Sequence, residues 1–339
     1  MILVKTGGSY YDIGFDIGVK TKTIVQELVK TNPAFMVKHT QKSLLSLKQS
    51  VQTRFGTYMK RYPDFLEELR GLSAGAKVAY DDLLLLAVEE EILDSVEIGV
   101  EKCSSAILKT KNNYLLIHNE DFLPRYLGKM VMVIAEPNNQ PKYLGIAYPG
   151  HIEARGFNDQ GVAFSENSLL FKLKSRGVPK DFLLRDIFRA KQLSEVIGMV
   201  TASDRICACN VNVISARENL ALQIETSTSE VDLMALGKRK FMIHTNHALS
   251  RNIDNQSEQV WPTSRLRYAN LDYLLGRAKN FTLPILKNIL SSTKHGILCQ
   301  ESDPLGSYTV LSLIFDPAAK TIWIADRRDQ PAKFKKFTI

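Results

Sequence analysis

Two hydrophobic rhythms divide the chain. Between residues 1 and 100, apolar positions recur every three or four residues in TKTIVQELVK, DFLEELRGL and DDLLLLAVEEEILDSV, the spacing of helices that bury one face. Asp81 stands where the last of these would be capped. From Cys103 onward the helical spacing gives way to a different texture. CSSAILK, YLLIHNED, KMVMVIAEP and KYLGIAYPG are short β-rich runs separated by Lys-Asn-Asn, glycine and proline, and EARGFNDQGVAFSEN reads as a hairpin turning at Asn158–Gly161. A helical segment entered through Pro179, VPKDFLLRDIFRAKQLSEVIGMVTAS, interrupts the strands. They return in CNVNVISARENLALQIETS, EVDLMAL and KFMIHTNHAL. Two more helical runs, TSRLRYANLDYLLGRA and TLPILKNILSST, precede a closing pair of strands, YTVLSLIFDP and AAKTIWIAD. The chain carries no internal repeat, low-complexity tract or linker. Hairpin-joined strands with helices gathered in blocks predict an α+β layered domain with antiparallel sheets, preceded by a mainly helical segment, 1–102.

Composition narrows the classes. With 339 residues, 45% hydrophobic and 24% charged, the chain can bury a sizeable core. Lys and Arg number 44 against 36 Asp and Glu, a net charge of +8. The basic runs GKRKF (237–241) and KFKKF (333–337) are short and accompany no binding motif, so they read as solvated surface. Neither nucleic acid nor a membrane is an expected partner. Four cysteines (103, 207, 209, 299) are too few and too scattered for a disulfide framework. MILVKTGGSYYDIG lacks the apolar core of a signal peptide, and no run approaches about 18 consecutive apolar residues. A cytoplasmic location is the expectation.

Several motifs fail on physical grounds. GLSAG (71–75) fits the nucleophile-elbow spacing, but a helical pattern precedes it where that chemistry needs a strand. His244 and His247 are three apart on an apparent strand, which sends them to opposite faces and away from a shared metal. Cys207 and Cys209 share a face by the same parity and read as two buried thiols. Phosphate-binding and dinucleotide-binding glycine patterns are missing, and no cofactor or metal is expected.

One constellation remains, in KCSSAILKTKNNYLLIHNEDF (102–122). A thiolate attacks acyl carbons well, and a chain-terminal α-amine with a pKa of roughly 8 can serve as its base from within the same residue. That chemistry requires cutting the bond before Cys103, which the thiol itself can start by attacking the preceding carbonyl. Asp121, returning across the hairpin, would lie near the new terminus and could bind its ammonium form. A lone cysteine opening a strand is more often core, so both readings stand on these residues alone.

The segment resembles the Cys-Thr/Ser-x-x-…-Asn-x-Asp-Trp/Phe hairpin of the acyl-coenzyme A:6-aminopenicillanic acid acyltransferase family of N-terminal-nucleophile hydrolases. The likeness extends along the chain: GSYYDIGFDIG, LRGLSAGAKVAYDDLLLL, GFNDQGVAFSENSL, ALQIETS, HTNHAL and SYTVLSLIFDPAAKTIWIA each resemble a family block, in the family's order. The resemblance implies a four-layer αββα sandwich and a precursor cut between Lys102 and Cys103 into chains 1–102 and 103–339. It implies Cys103 as nucleophile and, through its freed amine, as base. Asp121 would hold that amine, the Asn246 side-chain NH₂ would donate to an oxyanion, and the Asn167 backbone NH would be the second donor. Phe122 would wall the pocket, with His118 and His247 as further substrate-pocket candidates. The chain departs from the family's pattern just before the nucleophile, where glycine is usual and Lys102 stands, allowing less of φ/ψ space.

These observations predict a cytoplasmic amidohydrolase that forms an S-acyl-Cys103 intermediate from a linear amide. The alternative within enzymes is an acyl-CoA-dependent N-acyltransferase with an amine acceptor. The alternative outside enzymes, raised by Lys102, is an uncut family member acting as a binding protein. A homo-oligomer is left open.

Overall fold

The computed structural model describes residues 1–96, 102–171, 173–201, 204–254, 258–259, 262–299, 307–328 and 331–339. A strand, β1 (Ile2–Gly8), leads into α1 (Tyr10–Thr40), α2 (Leu44–Val51), α3 (Thr57–Met59), α4 (Pro63–Ala76), α5 (Tyr80–Ala87) and α6 (Glu89–Asp94). Strands β2 (Lys102–Lys109), β3 (Tyr114–Phe122), β4 (Val131–Pro137), β5 (Tyr143–Ala147), β6 (Arg155–Asn158) and β7 (Val162–Phe171) follow. Helices α7 (Lys180–Asp186) and α8 (Leu193–Val200) come next. After β8 (Ala208–Ser215), β9 (Leu220–Thr226), β10 (Val231–Ala235) and β11 (Phe241–His244) the chain forms α9 (Arg251–Asp254), β12 (Glu258–Gln259), α10 (Pro262–Arg277) and α11 (Leu283–Leu290). It closes with β13 (Tyr308–Asp316), β14 (Thr321–Asp326) and β15 (Lys335–Thr338).

The strands form two sheets. One runs β1-β4-β5-β6-β7-β8-β9-β10, with β12 added on β7; the other runs β11-β2-β3-β13-β14-β15. Among the described residues, neighbouring strands are antiparallel except β1 with β4, which departs from the expected antiparallel pattern. That strand escaped the sequence reading because only Val4 of its seven residues is buried, leaving almost no alternation to detect.

Strand parity builds the layers. Ala106, Leu108, Leu115, Ile117, Ile243 and Ile314 pack with Leu271, Leu275, Leu286 and Ile289 of α10 and α11. The alternate residues Ile107, Leu116, Leu311, Leu313 and Phe315 join the larger core against the first sheet. Helix α8 lies on that sheet's outer face, over β8 and β9. The order is therefore helix, sheet, sheet, helix. Among the described residues no helix is long and apolar enough to cross a membrane.

The N-terminal helices have a tight seam. Helix α1 opens on a capping box, with the Asp12 amide donating to Ser9 Oγ and the Ser9 amide to Asp12 Oδ2. It then crosses α4 at glycines from both sides. A methyl added at Gly14 would sit 1.8 Å from the Glu68 carbonyl oxygen, and one at Gly71 would sit 2.0 Å from that of Tyr11. The glycines of GLSAG thus serve backbone-to-backbone helix packing, and the serine between them lies within α4. Gly71→Ala should lower the thermal midpoint by several degrees, given the roughly 1–3 kcal/mol cost of overpacking. Gly198→Ala on α8, where nothing lies within 4 Å of the added methyl, should leave it unchanged or raise it. Calorimetry of the two variants checks the contrast.

Two expectations are corrected. Asp81 does not cap α5; Ala79 occupies the N-cap position without a side-chain cap, and Asp81 and Asp82 sit in the first turn, where the helix dipole favours anions. The segment 178–203 is not one helix. The Asn158 side chain donates to the carbonyls of Phe188 and Ala190, drawing those acceptors out of a helical ladder and separating α7 from α8.

Candidate active site

The hairpin β2–β3 sets Lys102 opposite Asp121, Cys103 opposite Glu120 and Ser105 opposite His118. Because side chains alternate, Cys103 and Ser105 project with Ile107 between the sheets, while Ser104 projects with Ala106 toward α10. Cys103 is fully buried, and so are Asn246 and Asn167. Both backbone polar groups of Cys103 are held from outside the hairpin. Its amide donates to Asn246 Oδ1 at 2.9 Å, and its carbonyl accepts from Arg267 Nη1. Arg267 also donates to Asn246 Oδ1 at 2.7 Å and to Ser104 Oγ at 2.8 Å. The Asn246 NH₂ donates to the Ser168 carbonyl at 3.0 Å, which fixes which end of the amide faces Cys103.

The turn that carries Asn246 is anchored by Glu225 of β9. One carboxylate oxygen takes the Leu249 amide at 2.7 Å and pairs with His244 Nε2 at 2.5 Å; the other takes the Ser250 amide at 2.8 Å. Burial raises the Glu225 pKa, but the His244 hydrogen bond and charge and the two amides outweigh it, and the carboxyl lies below its usual range. Strand β11 ends at His244, so the parity argument that set His244 against His247 does not extend to the turn. His247 Nδ1 meets Ser264 Oγ at 2.8 Å, and its ring packs edge-on against Tyr268. Burial, with the cationic neighbours His244, Arg265 and Arg267, pushes it down to about 4, so it is neutral at ordinary pH.

Behind the thiol lies a buried polar layer between the sheets. His118 bonds Ser105 Oγ through Nδ1 at 2.8 Å and Glu120 Oε2 through Nε2 at 2.7 Å. Glu120 also takes the Tyr148 hydroxyl on Oε1 and lies 2.9 Å from Arg155 Nε. Arg155 reaches Glu166 at 3.5 Å, and Lys180 joins Glu166 at 3.1 Å and Glu90 at 2.7 Å. A sulfur, a ring nitrogen and a carboxylate oxygen from Cys103, His118 and Glu120 lie within 4.8 Å of one another. Within this group His118 and Glu120 bond each other, and the Cys103 sulfur lies beside that pair.

The structure gathers most of the expected residues. Cys103 and Asn246 touch. Asn167 arrives from β7 by its side chain, donating to Ser105 Oγ at 3.0 Å and accepting from Asn212 at 2.8 Å. Phe122 is buried and stacks on Tyr148 at 4.3 Å, inside the wall of this layer. Asp121 projects to the opposite face of β3 from His118. It accepts from the Thr309 hydroxyl at 2.5 Å and helps hold up Arg327, which burial pushes down to about 10. Lys102, at 8% exposure, is a buried lysine directly across from it. The upstream residues 97–101 lie outside the described set.

Arg267, Tyr148, Arg155 and Glu120 were missed as site residues. For Arg267 a signal existed: it occupies the stripe Arg267, Leu271, Leu275 on α10, a charge placed among core positions. Two other thiols, Cys207 and Cys209, are quiet. Burial drives Cys207 well up and Cys209 up to about 11, as expected of packed thiols. A cleft of about 1090 Å³ runs along β10 and β11, with Leu249, Tyr268 and Asp272 in its wall, and so approaches the Asn246–His247 turn.

Comparisons with known proteins bear on this arrangement. A family model described as acyl-coenzyme A:6-aminopenicillanic acid acyl-transferase matches residues 108–330, beginning just downstream of Cys103. The 40 kDa form of acyl-coenzyme A:6-aminopenicillanic-acid-acyltransferase from Emericella nidulans is 23% identical over 277 residues, covering 81% of this chain and 77% of that one. The beta-alanyl-dopamine/carcinine hydrolase of Drosophila melanogaster is 24% identical over 254 residues, 66% of this chain; the chain spans 64% of that enzyme's length. Among solved structures, the N-acylethanolamine-hydrolyzing acid amidase ortholog of Caenorhabditis elegans superposes with a TM-score of 0.46 at 14% identity, covering 64% of this chain and 93% of that one. A variant of the conjugated bile acid hydrolase of Clostridium perfringens gives 0.49 at 10% identity, covering 70% and 92%.

Proposed function

The chain belongs to the acyl-coenzyme A:6-aminopenicillanic acid acyl-transferase family, and on that premise we propose that it is an amidohydrolase that frees its own nucleophile. The bond between Lys102 and Cys103 is cut, giving chains 1–102 and 103–339. The α-amine of Cys103 then serves as base for the thiol. The thiolate attacks the carbonyl of a linear amide, the amine leaves, and water hydrolyses the S-acyl-Cys103 that remains.

The observation that carries this reading is the double hold on Cys103: its nitrogen rests on Asn246 and its carbonyl on Arg267. Strand β11 pairs with β2 only as far as Ser105, so at Cys103 the sheet edge is closed by two side chains, one of them a charged guanidinium, in place of a ladder. After the cut, Asn246 keeps an acceptor beside the new amine. Asp121, across the hairpin from Lys102, supplies the anion that the new ammonium requires. Asn246 and the backbone at Asn167 are the donors assigned to the developing oxyanion, and no cofactor enters the chemistry.

A second reading is transfer from an acyl-CoA to an amine. It is favoured by a smaller basic cleft of about 460 Å³ lined by Lys109, Lys111, Lys238, Arg239, Lys240 and Lys279, a setting that suits phosphate groups. One experiment addresses both. The protein is incubated with a panel of N-acyl amines, or with acyl-CoA with and without an amine, then quenched in acid. The peptide carrying Cys103 should gain the acyl mass with the amides. Gain only from acyl-CoA, with turnover only when an amine is present, would favour transfer. No acyl mass on Cys103 from any donor would contradict both.

A further inference from the structure

A self-cutting thiol needs a base before the cut is made, and its own amine cannot be that base. Until the bond breaks, the Cys103 nitrogen is an amide that donates its proton to Asn246 Oδ1. We infer that His118, oriented by Glu120, takes the thiol proton of Cys103 in the uncut chain and returns it to the departing nitrogen. This inference rests on the reading of Cys103 as a self-freed nucleophile.

The geometry is specific to this role. Cys103 and Ser105 share the inward face of β2, and His118 stands directly across from Ser105. The carboxylate on Nε2 fixes the tautomer with the hydrogen on that nitrogen, leaving Nδ1 as the acceptor. Nδ1 meets Ser105 Oγ at 2.8 Å, so the thiol proton reaches it directly or through that hydroxyl. Glu120 is itself held by the Tyr148 hydroxyl and Arg155, and all of these side chains are almost wholly buried. Of the described His, Cys, Asp and Glu residues, Cys103, His118 and Glu120 form the one group of three or more whose donor atoms all fall within 4.8 Å. A histidine placed only for packing would not need a carboxylate with two further partners behind it.

The step balances with water as the only co-reactant. The S–H proton moves to His118, and the thiolate sulfur attacks the Lys102 carbonyl carbon. The C–N bond breaks as His118 returns the proton to the nitrogen, leaving a thioester. Water then adds to the thioester carbon, the C–S bond breaks, and the products are a carboxylate on Lys102 and a free thiol and amine on Cys103. The charged and titratable groups around the imidazole are Cys103 on β2, Glu120 on β3, Arg155 on β6, Glu166 on β7, Tyr148, and Lys180 beyond Glu166.

Full-length chain made by cell-free synthesis can be followed by intact mass at pH values from about 5.5 to 9. The wild-type cutting rate should rise through one ionisation and then level off to a plateau within this pH range. His118→Gln should cut about 10²–10⁴-fold more slowly and follow hydroxide through pH 9. A His118→Gln chain cut at the wild-type rate with the wild-type profile overturns this inference and leaves the self-freed nucleophile standing. A wild-type chain that is never cut overturns both. If His118→Gln does not fold, the wild-type profile decides: a rate rising tenfold per pH unit up to pH 9 means that no imidazole is involved.

Discussion

Cys103→Ala should lose turnover by on the order of 10⁴–10⁶-fold and should remain a single uncut chain. The substitution removes one buried sulfur and nothing else that holds the site. The amide still donates to Asn246 and the carbonyl still accepts from Arg267, since both contacts are made by the backbone. A stability loss of about 1 kcal/mol is the expected cost of such a change. Activity and folding therefore separate cleanly: circular dichroism and the thermal midpoint should stay close to wild type while acyl release vanishes. Residual turnover within tenfold of wild type would remove the thiol from the mechanism.

Asn246→Ala should cut kcat by about 10²–10³-fold, the loss typical of one oxyanion donor. The structure adds a second consequence. Asn246 Oδ1 is shared by the Cys103 amide and the Arg267 guanidinium, and Arg267 is buried. Removing the acceptor leaves part of a buried charge unpaired, at about 1–3 kcal/mol. Asn246→Asp separates the two effects. It keeps an acceptor for Arg267 but has no NH₂ to donate to an oxyanion or to the Ser168 carbonyl, so it should be as slow as the alanine variant while recovering only the part of the stability that the guanidinium pairing supplies. If Asn246→Asp turns over like wild type, the donor role assigned to Asn246 is wrong.

Much of this frame is legible in the residues. The change at Cys103 from helically spaced apolar positions to short β-rich runs marks the boundary between the helical block and the sheets, and Lys-Asn-Asn and Asn158–Gly161 mark turns between strands. Side-chain parity then decides which residues of β2 and β3 meet between the sheets. What stays hidden is long-range. No local pattern says that Arg155 from β6 will lie beside Glu120 on β3, or that Arg267 from α10 will grip the Cys103 carbonyl. Such pairs depend on which strands become neighbours across the layer, and carboxylates are too common along the chain to be matched by eye. The same limit explains β1, whose parallel pairing with β4 joins segments well over a hundred residues apart. It also explains the GLSAG motif, whose glycines acquire a purpose only when α1 lies across them.

His118 changes meaning by the same route. In sequence it is one of six histidines in the chain; in the fold it sits between a serine two residues beyond the nucleophile and a carboxylate with two partners of its own. Lys102 changes too. In place of the usual glycine it is a buried lysine opposite Asp121, a cation where the freed ammonium is needed later.

Whether the bond between those two residues breaks is the point on which the account turns, and denaturing intact-mass measurement of the purified protein tests it directly. The prediction is two species from wild type, corresponding to residues 1–102 and 103–339, and one species of 38.2 kDa from Cys103→Ala. A wild-type protein that runs as a single 38.2 kDa species, with Cys103 unreactive toward a thiol reagent, would contradict it.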